Sequence, residues 1–322
     1  MIRKGKPFFR GVMLVLALTC LSAHVGNASR EGSGPERTAI VNVPRAEVFA
    51  KNSGKSERVT EMLLGDVFRV TREAGDWAYG YIPSQKGYKG WISKTVVFFP
   101  IMDSPFEDKS VINVRTTSTR IIFRDGSFID VFAGTRLPLR RDKDGRYEVI
   151  LPDGSTGFLS YDAGWIEDEN FGKEATPENI LSAAKLFASA YKWGGITAEG
   201  MDCSGFVYTV FRINGVYLKR DSYMQAEEGS SVSLNELNAG DLVFFRTRRG
   251  RRISHVGIYI GGGKFIHSSR SKKGVSISSL SEDFFRKRFA AARRVVPDRN
   301  HAGEGGDGRT ACCPAKGNKR DS

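Results

Sequence analysis

The stretch GMDCSGFVYTVFRINGV places Cys203 between an aspartate and a serine-glycine pair. A thiol is a useful nucleophile only as its thiolate. Three surroundings can supply that state: a helix N-terminus, an imidazole that takes the proton, and a third group that orients the imidazole. The first is legible locally. Asp202 is a good helix cap, Phe206, Val210 and Phe211 make an apolar stripe at helical spacing, and Gly215 can end the helix. The chain has four histidines. His24 and His301 fall in its terminal segments, whereas His255 and His267 fall in the strand-like runs ISHVGIYI and GKFIHSS, joined across Gly261, Gly262 and Gly263. A hairpin there gives positions 255 and 267 the same parity, so their rings share one sheet face, opposite or diagonal. That suits a base at His255 and an orienting imidazole at His267. A single strand histidine is ordinarily structural; two on one face with a helix-start cysteine are a constellation. One cysteine and two histidines are also a zinc donor set, but it lacks a fourth ligand and gives the helix start no role.

These residues need a helical part and a sheet to hold them. TPENILSAAKLFASAYKWGG offers Thr176 as N-cap and Pro177 at the first helical position, with Ile180, Ala184, Phe187 and Tyr191 on one face. The cysteine helix follows, then the strands GDLVFFR, ISHVGIYI and GKFIHSS. Helices followed by an antiparallel sheet predict an α+β domain over 174–298. Upstream, residues 38–98 and 107–167 alternate short β-rich runs with Gly, Asp and Ser, and they repeat each other loosely. Pro83 aligns with Pro152, Gly90 with Gly157, and Trp91 with Phe158 when two extra residues are allowed. Short strands at this spacing predict two small antiparallel barrels. Each is near the size at which a core is modest, so packing against a neighbour helps.

The ends of the chain bear on where it works. Arg3, Lys4, Lys6 and Arg10 precede the apolar run GVMLVLALTCLSA and then small residues, the pattern of a secretory leader over 1–28 with cleavage after Ala28. A lipid anchor on Cys20 is the alternative. The expected location is exported, periplasmic or extracellular. Residues 299–322 form a Gly-rich polar tail, predicted disordered, that carries Cys312 and Cys313. Cys203 is the lone thiol of the folded part. By residue type it is either a small buried hydrophobe or a reactive group. The formal charge of +13 favours acidic partners. No basic helix or zinc-finger spacing points to nucleic acid, which leaves an anionic cell wall or membrane surface.

Together, YKWGG, MDCSGFV, GDLVFF and ISHVGIYIGGGKFIHSS resemble the NlpC-type cell-wall cysteine peptidases, which have a papain-like core, over about 177–297. The resemblance implies Cys203 as nucleophile, His255 as base, His267 as orienting third residue and Tyr191 as oxyanion donor. It implies no metal or organic cofactor and no stable protein partner. VINVR, beginning at Val111, and GYKGWI, at 87–92, resemble bacterial SH3-like domains, which commonly contact the cell wall. The fold class is then two SH3-like barrels followed by a papain-like α+β domain. Family members cut between γ-D-glutamate and a diamino acid in peptidoglycan stems. A subgroup with N-terminal SH3-like domains is restricted to stems with a free L-alanine amine. By resemblance to that subgroup, Asp202, Ser204, Asp221, Ser222, Glu57 and Tyr88 form the substrate-binding wall. The alternatives are a general endopeptidase on intact wall, a wall-binding protein without catalysis, and an amidase or acyltransferase on the same scaffold.

Overall fold

A computed structural model describes residues 36–100, 110–143, 145–167, 175–248 and 250–296. The expected leader over 1–28, the Cys20 anchor and the tail over 299–322 lie outside the described residues. No helix among the described residues is long and apolar enough to cross a membrane.

The first sheet is antiparallel, with strands β1 (Arg37–Val41), β2 (Arg45–Phe49), β3 (Arg58–Leu63), β4 (Val67–Ala74), β5 (Trp77–Ile82), β6 (Tyr88–Ser93) and β7 (Val97–Phe98). The second has β8 (Val111–Val114), β9 (Ser118–Ile122), β10 (Phe128–Phe132), β11 (Arg136–Lys143), β12 (Arg146–Ile150), β13 (Thr156–Ser160) and β14 (Gly164–Glu167). The strand orders are β3-β2-β6-β5-β4-β1-β7 and β10-β9-β13-β12-β11-β8-β14, one topology used twice. The weak sequence repeat is therefore a structural repeat. Its aligned glycines do the same job: a Cβ on Gly90 would sit 2.5 Å from Val48 Cγ1, and one on Gly157 2.3 Å from Ile121 Cγ2. Neither position can carry a side chain without displacing the core.

The expectation of barrels needs correction. Each strand order is linear, and the end strands β3 and β7, or β10 and β14, do not pair with each other. The sheets bend over their own cores, Ala46, Val48, Met62 and Phe68 in the first and Ile112, Ile121, Val131 and Leu159 in the second, but backbone pairing does not close them. At β3 the reason is visible. Its edge faces the chain that follows Tyr191, and Gly194 packs so tightly on it that a Cβ would lie 2.8 Å from the Arg58 carbonyl oxygen. An edge covered by another part of the fold needs no closing strand.

The remaining chain is α+β, as expected. Helix α1 (Pro177–Lys185) starts at Thr176, whose Oγ1 accepts the Asn179 N–H at 3.2 Å. The short strands β15 (Ile196–Thr197) and β16 (Gly200–Met201) lead into α2 (Cys203–Arg212), and α3 (Ser222–Gln225) follows. A sheet is then built from β17 (Ser230–Ser231), β18 (Leu242–Phe245), β19 (His255–Gly261), β20 (Lys264–Ser269), β21 (Gly274–Ser279) and β22 (Phe289–Arg294), with α4 (Asp283–Arg286) before the last strand. Its order is β17-β22-β18-β19-β20-β21. Every residue of α2 is buried. Its stripe of Phe206, Val210 and Phe211 shares a core with Ile180 and Phe187, and with Phe244, Val256 and Ile258 of the sheet. One expectation fails here. Helix α1 ends at Lys185, so neither Phe187 nor Tyr191 is on its face; Tyr191 lies in extended chain, bridged in parallel to Met201.

Candidate active site

Cys203 opens α2. The Asp202 carboxylate caps the helix by accepting the Gly205 N–H on Oδ1 at 2.7 Å. Cys203 is 7% exposed, yet it lines two clefts. Burial, reinforced by the Asp202 charge, pushes its thiol up to about 12, while the Val256 and Ser204 backbone N–H groups pull it down. Thus sulfur and proton stay together until a base is engaged.

His255, the base expected from the sequence, adjoins the Val256 amide. Strands β19 and β20 pair Ile258 with Ile266 and Tyr259 with Phe265, so His255 lies diagonal to His267 on the same face. Their rings meet, with Nε2 of His255 2.6 Å from Nδ1 of His267. Gly257 makes room, since a Cβ there would lie 3.1 Å from the Cβ of His267. Nε2 of His267 is 3.2 Å from the Ser278 hydroxyl. If Nε2 of His255 carries its proton, donates to His267 and leaves Nδ1 free to accept, His267 can pass its own N–H to Ser278. Burial lowers His255 to about 4; burial, His255 and Lys272 lower His267 to about 2. Both rings are neutral at pH 7. Among the described residues no group of three or more His, Cys, Asp or Glu is arranged to hold a metal ion.

Tyr191 lines the cleft beside Cys203 and His255. Burial, then the nearby Cys203 and Asp202, raise its phenol above the ordinary value, against Arg248 and Arg270. The phenol is protonated at neutral pH. The Tyr191 backbone is held at 2.9 Å by the Lys273 carbonyl.

On the other side of the sulfur, one cleft of about 460 Å³ is lined by Asp202, Ser204, Asp221, Ser222, Glu57 and Tyr88, the six residues singled out from the sequence. Glu57 and Tyr88 come from the first sheet and its edge loop, so the wall is shared between the sheet and the α+β part. The two aspartates differ. Both oxygens of Asp202 are engaged: buried Arg220 donates to Oδ1 and Oδ2 at 3.0 and 2.8 Å, and Gly194 N–H donates to Oδ2 at 2.8 Å. Arg220 also donates to Ser204 Oγ and to Thr60 Oγ1 of β3, both at 2.9 Å. Among the described residues Asp221 accepts from two phenols, Tyr88, 3.2 Å from each oxygen, and Tyr223. Burial raises its pKa, against Arg220 and the Tyr88 phenol. Ser222 begins α3. Glu57 accepts the Trp193 indole N–H at 2.8 Å.

Sequence reasoning missed several neighbours. Arg220 precedes Asp221 in the quoted KRDSYMQ, but a buried arginine leaves no periodic signal. Trp193 belongs to YKWGG, and Arg248 stacks on its ring at 4.7 Å. Glu61, completely buried, accepts from Lys192 at 2.9 Å and from the Ile196 N–H at 3.0 Å.

A thiol at a helix start, sharing a cleft with a strand imidazole that is oriented by a third polar residue, is the layout of the papain-like cysteine peptidases. The chain belongs to one branch of them, the NlpC/P60 family, whose pattern matches residues 188–294. It is 33% identical over 248 residues to the gamma-D-glutamyl-L-lysine dipeptidyl-peptidase of Bacillus subtilis (strain 168), covering 74% of this chain and 81% of that protein. It is 30% identical over 266 residues to the Bacillus cereus (strain ATCC 10987 / NRS 248) protein of the same name, with 78% of each covered. An NlpC/P60 family protein from Bacillus cereus ATCC 10987 has the same fold, with a TM-score of 0.75 at 24% identity, over 81% of this chain and all of that one.

Proposed function

We propose that the protein hydrolyses the γ-D-glutamyl–diamino acid bond of peptidoglycan stem peptides and selects stems whose N-terminal L-alanine amine is free. The observation that carries this is the cleft beside Cys203, where Asp221, Tyr88 and Glu57 face one space. An ammonium entering that space needs a charged partner. Asp202 is already neutralised by Arg220, so Asp221, whose hydrogen-bond partners among the described residues are phenols, carries that role. Tyr88 holds the carboxylate in place, Glu57 adds negative charge at the rim, and Ser204 and Ser222 bound the site. Asp202 acts there through the helix start it caps. The names of the two Bacillus relatives support the same bond class.

In this reading the scissile carbonyl sits over Cys203. His255 takes the thiol proton at Nδ1 as sulfur attacks, and His267 fixes the ring through Nε2. Tyr191 and a backbone N–H at the helix start stabilise the tetrahedral oxyanion. His255 returns the proton to the departing amine, and water, deprotonated by the same ring, releases the dipeptide. The first bent sheet supplies one wall of the site, and both sheets offer a surface toward the cell wall. The domain over 174–298 supplies the chemistry. A leader over 1–28 directs export.

The test compares kcat/KM for L-Ala-γ-D-Glu–diamino acid peptide, its N-acetyl form and intact sacculus. Acetylation is expected to cost at least about 30-fold, the scale of losing a buried charge partner, and Asp221→Asn to remove most of that difference. Cys203→Ala is expected to abolish turnover, and iodoacetamide to inactivate the wild type. Preference for intact sacculus would leave a general endopeptidase in its place.

A further inference from the structure

A phenol stabilises a developing oxyanion only if it is held in place before the reaction. Tyr191 has little secondary structure of its own to do this. It sits on a single parallel bridge to Met201, with the Lys192 N–H donating to the Met201 carbonyl at 3.2 Å. The chain then turns at once, closed by the Gly195 N–H on the Lys192 carbonyl at 3.0 Å, with Gly194 at φ +73°. What fixes this turn is β3 of the first sheet. Glu61 is fully buried, and its two carboxylate oxygens reach opposite ends of the turn. Oε1 accepts from Lys192 Nζ at 2.9 Å, and Oε2 from the Ile196 N–H at 3.0 Å. Arg45 donates to the same Oε1 at 2.8 Å, and Arg58 Nη1 lies 4.0 Å from it. Arg58 grips the middle of the turn, donating from Nε and Nη2 to the Trp193 carbonyl at 3.0 and 2.8 Å. The turn is tied in the other direction to the cysteine helix, where the Gly194 N–H donates to the cap Asp202 at 2.8 Å.

Glu61 lines neither of the clefts beside Cys203, so it acts on no substrate directly. A fully buried carboxylate is costly to desolvate, and an apolar residue would fill a sheet edge as well. The two-point hold supplies what an apolar contact does not: a set distance and angle between β3 and the chain one residue beyond Tyr191. A misplacement of about 1 Å in such a donor costs on the order of 100-fold in rate. Resting on the proposed role of Tyr191, we propose that Glu61 is a positioning residue for the reaction: by clasping both ends of the turn from Lys192 to Ile196, it aims the Tyr191 phenol at the oxyanion.

The experiment measures kcat and KM on L-Ala-γ-D-Glu–diamino acid peptide, and Tm, for the full chain carrying Glu61→Gln, Tyr191→Phe or both. Tyr191→Phe is expected to lower kcat about 100-fold, the scale of one lost oxyanion donor. Glu61→Gln keeps the size of the side chain and is expected to lower kcat at least about tenfold, with KM changed less than about twofold. In the Tyr191→Phe background the same change is expected to cost less than about twofold, because no donor is left to misplace. Lys192→Met opens one arm of the hold, leaves Glu61 paired with Arg45, and decides the matter should Glu61→Gln fail to fold. Its loss in kcat is likewise expected to vanish with Tyr191→Phe, and Lys192→Arg to restore part of it. Unchanged kcat in these variants, or equal losses with and without the Tyr191 hydroxyl, overturns the proposal and leaves the role of Tyr191 standing. Full kcat in Tyr191→Phe overturns that role and this proposal with it.

Discussion

At the residue scale the site depends on neutral groups kept from ionising. Burial holds the Cys203 thiol high and both imidazoles low, so the resting pair is thiol and imidazole, and in the proposed mechanism the proton moves as the carbonyl is attacked. This has a signed pH consequence. The proposed base is active when unprotonated, and His255 is lowered from 6.5 to about 4. The acid limb of kcat/KM, which reports the free enzyme, is therefore expected to stay flat from pH 7 to about 5 and to fall near pH 4. Half-loss close to 6.5 would mean that His255 is not the base or is not buried as described. Stability follows the same direction. A histidine whose folded pKa lies below its unfolded value binds its proton more readily when unfolded. Its contribution is intact above pH 6.5 and is lost as pH falls to about 4 for His255 and toward 2 for His267. Each contributes a slope of up to about 1.4 kcal/mol per pH unit in its window. Urea unfolding at pH 7 and pH 5 measures it, and His267→Gln is expected to flatten the difference.

At the element scale the decisive object is the N-terminal turn of α2, together with the side chains that neutralise its cap. Asp202 stabilises the helix start but raises the neighbouring thiol. Arg220 offsets that by pairing both carboxylate oxygens, and Thr60 from β3 holds the guanidinium in turn. Arg220 is thus a positioning residue. Arg220→Gln is expected to move the pH midpoint of iodoacetamide alkylation upward and to lower kcat more than it raises KM, with Arg220→Lys restoring part of the shift. A loss of activity with an unmoved alkylation profile would assign Arg220 a purely structural role. The helix, its cap and the histidine register were legible in the sequence because each is local: a capping residue, an apolar period, parity about a glycine turn. Tyr191 was misplaced onto helix α1 because the apolar period runs on past Lys185, where the chain instead turns to bridge Met201. Sheet closure and the Arg220 pair were not legible. Both depend on which distant element occupies a sheet edge or a buried charge, and no short-range pattern records that.

At the scale of the whole molecule, the helix that opens with Cys203 closes with Arg212, which joins all three parts of the fold. Its guanidinium, fully buried, donates to Asp66 Oδ2 and Oδ1 at 3.0 and 2.5 Å in the first sheet's β3–β4 turn and to the Gly134 carbonyl at 2.9 Å in the second sheet. Tyr208, one turn earlier, bonds both Arg212 and the Ser84 carbonyl of the first sheet. The orientation of the helix, and with it the direction of the sulfur, is therefore set partly by sheets that contribute no nucleophile or base. Arg212→Met keeps the length of the side chain and leaves the Asp66 charge buried without a partner. Removing one member of such a pair costs about 3–5 kcal/mol, so a large drop in Tm is expected. Adding Asp66→Leu removes the orphaned charge and is expected to recover most of that stability, because an apolar replacement of a buried ion pair is often close to neutral. The double variant distinguishes a staple from a mere filler. If it regains Tm but remains slow on peptide, the ion pair sets the angle of α2 in addition to holding the sheets. If Arg212→Met alone leaves Tm unchanged, the sheets are not tied to the peptidase domain through this helix.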